Sequence, residues 1–567
     1  MIPVYSSRTK AARSARRVLP VVVLVLTCVL PGARGASAQG AQSATADSTR
    51  QAQVERLFAR WNSTDLPGCT IAVAREGVEI LSRGYGMADL EHSIAIRPDT
   101  IIEAGSVSKQ FTAAAVLLLV QQGKVSLDDP VRKYIPELPA YGEGITVRHL
   151  LTHTSGLRDW GFVENVAGWP RTTRMYTHDH VLDYVARQRA LNYAPGADFS
   201  YTNTGYNLAA ILVSRVAGKS FAEFSREAIF KPLGMTRTSW RDDFTRIVRD
   251  RAIGYTVTGR DVVMNMPFEN IHGNGGLLTT VGDLLRWSRN AVHGRVGGKA
   301  FVDLQQTRGR LTSGQDIEYA LGGIYMTQWK GLPEVSHSGG TAGYRAWLAH
   351  YPGPDLSVAV LCNAGDAPAW TLGRQVAEIY LGIPAVDAPT AVPMTASDLE
   401  QVQGLYRNRR TSEALAIELA DGTLRVAGLG TLTPVAVGTF QVGTTSIRVH
   451  VVRDASGNVR GVQSVVGGEA NDFERVNRGQ PSAADMAAYA GTYTSVEADV
   501  SLVVAVDAGR LVIRRRPNTT IPLEPTYVDG FSGSIGHVRF IRDAAGTVTH
   551  LSIGNSRVWD LRIPKAR

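Results

Sequence analysis

The sequence predicts an α+β domain built on one antiparallel sheet, followed by two small antiparallel β-barrel modules. Three observations predict it. Strand-like segments stand at both ends of residues 48 to 382 with helical segments between them, so both ends of the region return to one sheet. The Pro- and Ala-rich stretch "GIPAVDAPTAVPMTA" then breaks the pattern at 382 to 396. Beyond it the chain repeats itself: Gly404, Tyr406, Gly422 and Leu424 recur 87 residues later as Gly491, Tyr493, Gly509 and Leu511.

The first segment reads as an export signal over residues 1–38. Six basic residues and no acid occur there, around the apolar run "VLPVVVLVLTCVL" and ahead of the small-residue site Ala36-Ser37-Ala38. The run is too short to span a bilayer comfortably. Expected products are a protein released to the periplasm or outside the cell and no lasting membrane insertion. Setting those six cations aside lowers the formal charge from +9 to +3, which gives no reason to expect a nucleic-acid partner. Cys69 and Cys362 remain, both in apolar strand-like runs. Buried thiols and a single disulfide between neighbouring strands are both open readings.

Residues 39–385 hold the α+β unit. After a helix at 48 to 61, "GCTIAVAREGVEILSRGYG" alternates like a hairpin around Glu76-Gly77. Helical patterns follow in "SKQFTAAAVLLLVQQGK", "AGWPRTTRMYTHDHVLDYVARQ" and "NTGYNLAAILVSRVAG". Thr280 and Asp283 form a capping pattern ahead of "LLRWSRNAV". Strand character returns in "YALGGIYMTQW", "EVSHSGG", "YRAWLAHYP" and "LSVAVLCN" before a closing helix at "AWTLGRQVAEIYL". A linker at 386–396 leads to the modules at 397–477 and 482–567. Asp398 and Asp485 keep the repeat offset, while Arg453 and Arg542 stand 89 apart, so the second copy carries an insertion of two residues. Short alternating strands separated by Asp-Gly and Ala-Gly turns are the pattern of a small antiparallel barrel.

Chemistry concentrates at three places. Ser106 and Lys109 stand three apart at the head of an apolar helix, hence on one face. A serine hydroxyl is a poor nucleophile until a neighbour takes its proton. For Lys109 to do so near neutral pH it must lose roughly three units from its reference pKa, about 4 kcal/mol. Burial and the positive end of the helix push that way. Tyr201 and Asn203 follow on a turn entering another helix; a phenol beside a cation can relay a proton, and an amide can hold both the lysine and a substrate. His337, Gly339 and Gly340 occupy a strand entering a Gly-rich turn, where small residues permit close approach and the Gly340 N–H can join that of Ser106 in an oxyanion hole.

The order Ser-x-x-Lys, Tyr-x-Asn and His-x-Gly resembles the penicillin-recognising serine hydrolases: class C β-lactamases, D-Ala-D-Ala carboxypeptidases, D-aminopeptidases and β-lactamase-like esterases. The likeness runs through "GKVSLDDPVRKYIPELP", "ITVRHLLTHTSGL", "GNGGLLTTVGDLLRW" and "HSGGTAGYRAW". It implies a β-lactamase/transpeptidase-like catalytic domain with Ser106 as acylated nucleophile and Lys109 as its base. Tyr201 becomes partner acid and base, and Asn203 a substrate-orienting amide. His337 stands where many members carry lysine, which weakens the case for a dedicated β-lactamase. D-aminopeptidases of this group carry two C-terminal barrels, one of which sends a loop to the active site to read a free amino terminus. By that likeness "PTYVDGFSGS" becomes a candidate loop and Asp529 a candidate ammonium partner.

The expected activity is hydrolysis of amide or ester bonds, foremost in peptides with D-residues. A β-lactamase or carboxylesterase is the alternative, and a non-catalytic penicillin-binding sensor is the rival of another class. Small peptides, esters or β-lactams are the expected partners, with a homodimer open. No metal or organic cofactor is expected: His149, His153, His178 and His180 lack a metalloprotease pattern, and no Gly-x-Ser-x-Gly elbow occurs.

Overall fold

The computed structural model describes residues 35–169, 174–384, 391–443, 445, 447–466 and 469–566. Residues 1–34 of the expected export signal and 386–390 of the linker therefore lie outside the described residues. No helix among the described residues is long and apolar enough to cross a membrane.

The helix Gly35–Phe58 leads into the hairpin Cys69–Arg75 and Val78–Tyr85, which joins one eight-stranded antiparallel sheet. The other six strands are Arg308–Arg310, Asp316–Ala320, Ile324–Trp329, Leu332–Thr341, Tyr344–Tyr351 and Leu356–Cys362, and the last of these pairs with Cys69–Arg75. The two ends of the region thus meet in one sheet, as its strand pattern predicts. Cys69 lies directly opposite Cys362 in that register, and the two form a disulfide.

Alternation explains how the sheet is covered on both faces. Ala72, Ala346, Leu348, Ala359 and Leu361 face a core with Phe111, Phe230 and Trp287. Ile71, Val73, Ala349, Val358 and Val360 face another with Phe58, Leu372 and Val376. Thr280 caps the helix Val281–His293 by accepting from the Asp283 N–H at 3.2 Å, and the Asp283 carboxylate binds the Arg237 N–H at 2.9 Å. The stretch read as one helix across 167 to 188 holds His178–Arg187, preceded by the separate helix Trp160–Val166; residues 170–173 between them lie outside the described residues.

The repeated modules share local devices. Thr395 with Asp398 and Ser482 with Asp485 form equivalent capping boxes on the helices Ala396–Val402 and Ala483–Tyr489. Tyr406 and Tyr493 each donate to the carbonyl four residues back, Val402 and Tyr489. Arg453 and Arg542 each bond the carbonyl of a turn glycine, Gly457 and Gly546. The first module closes: Gly404–Asn408 pairs with both Ala414–Ala420 and Glu469–Val476. The second divides near Leu523 into a four-stranded and a five-stranded sheet, and the Tyr493–Lys565 bridge brings their outer ends together.

The last module packs on the helical region in a shared apolar cluster that joins Leu157, Trp160 and Tyr184 to Leu502, Val538 and Leu561. Polar ties reinforce this contact. Arg158 pairs with Glu497 at 2.5 Å and donates to the Asp560 carbonyl at 3.0 Å. Arg410 of the first module pairs with Asp198 at 2.6 Å.

Candidate active site

Ser106 lies in a tight 3-10 turn, Gly105–Ser108, that runs directly into the helix Lys109–Gln121. The turn is wedged against the strand Leu332–Thr341. Gly105 has a φ of +49°, and a Cβ there would stand 2.6 Å from the Gly340 nitrogen; a Cβ at Gly339 would overlap the Ala104 carbonyl. Gly339 therefore serves contact between strand and serine turn, where the sequence suggested only room for a substrate. The same contact sets the Gly340 N–H beside the Ser106 turn.

Ser106 is half-buried and Lys109 wholly buried. Lys109 Nζ donates to Ser106 Oγ at 3.2 Å, to Asn203 Oδ1 at 2.9 Å and to the Asn274 carbonyl at 2.7 Å. Two fixed acceptors thus hold two amine hydrogens and aim the third position at the serine oxygen. That position can carry an N–H when the lysine is charged or a lone pair when it is neutral, so one geometry serves both states. Asn274 is held in turn: Asn207 Nδ2 donates to its Oδ1 at 2.7 Å, and Asn207 Oδ1 accepts from Trp160 Nε1 at 2.9 Å.

Tyr201 immediately precedes Thr202, the N-cap of the helix Asn203–Ala217. Its ring centre is 4.8 Å from Lys109 Nζ. Burial pushes the Tyr201 phenol up to about 12 against the opposing pull of Arg557. Near neutral pH it is a proton donor. Asp159 Oδ2 accepts the Asn203 N–H at 2.8 Å, which fixes the amide that faces Lys109.

His337 reaches the same cluster, 6.1 Å from Tyr201 between ring centres. Nδ1–H donates to the Ser338 carbonyl at 2.6 Å, leaving Nε2 to accept from Tyr319 at 3.1 Å. Burial, with the Lys109 charge, pulls the ring down to about 3. Both nitrogens are engaged and burial keeps the ring neutral near pH 7.

Asp529 is not brought to this cluster. Its carboxylate accepts from Tyr489 at 2.6 Å and pairs with Arg542 at 3.0 Å, both within the last module. The segment of that module that does arrive is the hairpin tip 555–559, with Arg557 5.1 Å above the Tyr201 ring. His153, which belongs to none of the three motifs, also reaches the cluster. It takes a φ of +58°, accepts the Thr202 N–H at Nδ1 and lies tilted against Tyr201, 4.2 Å between ring centres. His149 meanwhile caps the Thr146 N–H through Nδ1, so the two histidines four apart serve different hydrogen bonds.

Four histidines around the site, His153, His178, His272 and His337, are driven below their ordinary pKa chiefly by burial. The unfolded chain protonates them below about pH 6.5 while the folded chain does not. Their contribution is therefore complete above that pH and lost as pH falls towards their folded values, each by up to about 1.4 kcal/mol per unit. The urea midpoint is expected to drop clearly from pH 7 to pH 5.5, and less steeply in His153→Asn. An unchanged midpoint would mean that the folded protein takes up these protons.

A family model described as Beta-lactamase matches residues 52–380. The chain is 27% identical over 530 residues to "D-aminopeptidase" of Gluconobacter oxydans (strain 621H), covering 91% of each protein. It is 29% identical over 299 residues to "Penicillin-binding protein 4*" of Bacillus subtilis (strain 168), covering 49% of this chain and only 64% of that protein. Among solved structures, an octameric penicillin-binding protein homologue from Pyrococcus abyssi is 24% identical with a TM-score of 0.54, covering 75% of this chain and 99% of that one. D-amino acid amidase from Ochrobactrum anthropi SV3, complexed with D-phenylalanine, is 21% identical with a TM-score of 0.51, covering 59% and 100%. These two structures share the fold.

Proposed function

The chain belongs to the beta-lactamase family of serine hydrolases, and from this premise we propose that it cleaves amide or ester bonds through an acyl-Ser106 intermediate. The observation that carries the reading is the three-way hold on Lys109, which leaves one amine position aimed at the serine oxygen. In this reading Lys109 takes the hydroxyl proton as Oγ attacks the carbonyl carbon. The Ser106 and Gly340 N–H groups steady the oxyanion. Tyr201, a phenol near neutral pH, hands a proton to the departing amine or alcohol. Asn203 spends its Oδ1 on Lys109 and offers its NH2 to a substrate carbonyl. Water then attacks the ester with the proton relay reversed.

For substrate we propose peptides with D-residues, of the D-aminopeptidase or D-Ala-D-Ala carboxypeptidase type. The support is the Gluconobacter relative, whose likeness covers 91% of this chain. Export by the basic, apolar N-terminal segment belongs to the same proposal.

The test is peptide mapping after treatment with a fluorescent penicillin or a fluorophosphonate, together with a substrate panel. The adduct is expected on the peptide that carries Ser106, and an adduct elsewhere or none would end the reading. D-aminoacyl anilides, D-Ala-D-Ala peptides, short acyl esters and a chromogenic cephalosporin, at matched concentration, rank the substrates. Turnover of the cephalosporin alone would replace the peptidase ranking with a β-lactamase.

A further inference from the structure

We propose that Arg557 is a specificity-determining residue that binds a carboxylate of the substrate beside Tyr201, so that favoured substrates carry an anion near the scissile bond. This deepens the reading above and rests on it. It chooses the carboxypeptidase type over the aminopeptidase type.

The tip that carries Arg557 is built and clamped. Asn555 Oδ1 accepts from the Arg557 N–H at 2.8 Å and the Val558 N–H at 2.9 Å, which fixes the turn. Asn192 grips the tip from the catalytic domain: its Nδ2 donates to the Arg557 carbonyl at 3.0 Å and its Oδ1 accepts the Trp559 N–H at 3.1 Å. Ser200 Oγ donates to the Ser556 carbonyl at 3.2 Å, and Trp559 packs 4.8 Å from Tyr193. The hairpin is thus tied by its backbone to the very segment that ends in Tyr201. Its one long cation is delivered to the proton relay, with the ordering of that loop completed before a substrate arrives.

Charge decides what that cation can hold. The carboxylate nearest to it is Asp159, 3.8 Å from Nη1. Asp159 is nearly buried and already committed, through Oδ2 to the Asn203 N–H at 2.8 Å and through Oδ1 to the Phe162 N–H at 3.2 Å. The Arg557 side chain remains 41% exposed, so it has donors to offer. It borders a cavity of about 610 Å³ that runs from Tyr201 to the mouth of the closed barrel. Farther along that cavity Asp198 is neutralised by Arg410 at 2.6 Å, and Glu413 and Asp472 lie beyond, on the barrel side. At the Tyr201 end the Arg557 guanidinium stands against one carboxylate, Asp159, whose two oxygens already accept backbone N–H groups. An ammonium placed there meets like charge, whereas a carboxylate meets a planar guanidinium suited to paired hydrogen bonds. Asp529, the residue that would have favoured an ammonium, is spent on Tyr489 and Arg542.

The experiment uses the full chain and one readout: the concentration of a peptide that halves the rate at which a neutral fluorophosphonate labels Ser106. Three peptides are compared, N-acetyl-D-Ala-D-Ala, its C-terminal amide, and D-Ala-D-Ala amide with a free amino terminus. The acid is expected to protect at about 10- to 100-fold lower concentration than the amide, as a charge-assisted contact would give. In Arg557→Gln the ratio is expected to fall towards one. Arg557→Lys keeps part of it, and Arg557→Glu shifts the order towards the free amine. A substitution that merely disturbed Tyr201 would weaken all three peptides and leave the ratio intact. Equal protection by acid and amide in the wild type, no protection by any of them, a ratio that survives Arg557→Gln, or the free amine binding best would each overturn the proposal. Absence of Ser106 labelling would instead bring down the hydrolase reading itself.

Discussion

Ser106→Ala is expected to lower turnover of the best panel substrate about ten-thousand-fold or more, with the melting temperature unchanged. The hydroxyl is the group that becomes bonded to the acyl carbon, and nothing else in the cluster replaces it: Lys109 is enclosed, and Tyr201 is held as a phenol by burial. Stability should hold because Ser106 is half-buried and small, and Lys109 retains Asn203 and Asn274 as acceptors. Lys109→Met should cost comparable activity but also stability. It leaves Asn203 Oδ1 and the buried Asn274 carbonyl without their donor, at about 1–3 kcal/mol for each such group. The double variant should be no slower than the worse single one, since the two residues act as one unit. Retention of more than a few per cent of turnover by Ser106→Ala would remove the acyl-enzyme.

Much of this site was legible because its residues are written into local pattern. Ser106 and Lys109 are a helical turn apart, and Tyr201 and Asn203 straddle a helix start, so the sequence places each pair without the fold. What brings the pairs together is the close pass of the Gly339–Gly340 backbone, which the glycines signalled while leaving open what they approach. The role of His337 was not legible. Its neutrality follows from burial and its engagement from Tyr319, a residue 18 positions away on another strand. Asp529 misled because Asp-Gly advertises a turn but not where the turn goes. The arrival of Arg557 depends on a docking of distant parts that no local signal encodes: Asn192 and Asn555, far apart in the chain, jointly set its position. The repeat predicted the module pair, and its capping boxes recur in the structure. The second module's division into two sheets has no counterpart in that pattern.

The largest effect on stability is expected from a residue that touches no substrate. Arg241 is enclosed by two carboxylates, donating from Nε to Glu103 at 2.9 Å and from Nη2 to Glu269 at 3.3 Å, and its guanidinium also bonds the Glu269 carbonyl. All three side chains are at most 1% exposed. Arg241→Met removes the cation that lies against both acids, and breaking a buried pair from one side costs about 3–5 kcal/mol. At about 2–4 °C per kcal/mol for a domain of this order, the melting temperature should fall by roughly 10 °C. The reverse argument supplies the control. Burying charges is itself expensive, so Arg241→Met combined with Glu103→Gln and Glu269→Gln should recover much of the loss. The consequence reaches the chemistry through the chain. Glu103 ends the strand Ile102–Glu103, which pairs with Leu277–Thr279, and the serine turn starts two residues later. Well below its melting point, Arg241→Met should therefore label Ser106 more slowly than wild type, and the triple variant should label faster than the single one. A single variant that melts within 2 °C of wild type, a margin of under about 1 kcal/mol, would show that the triad does not hold this strand.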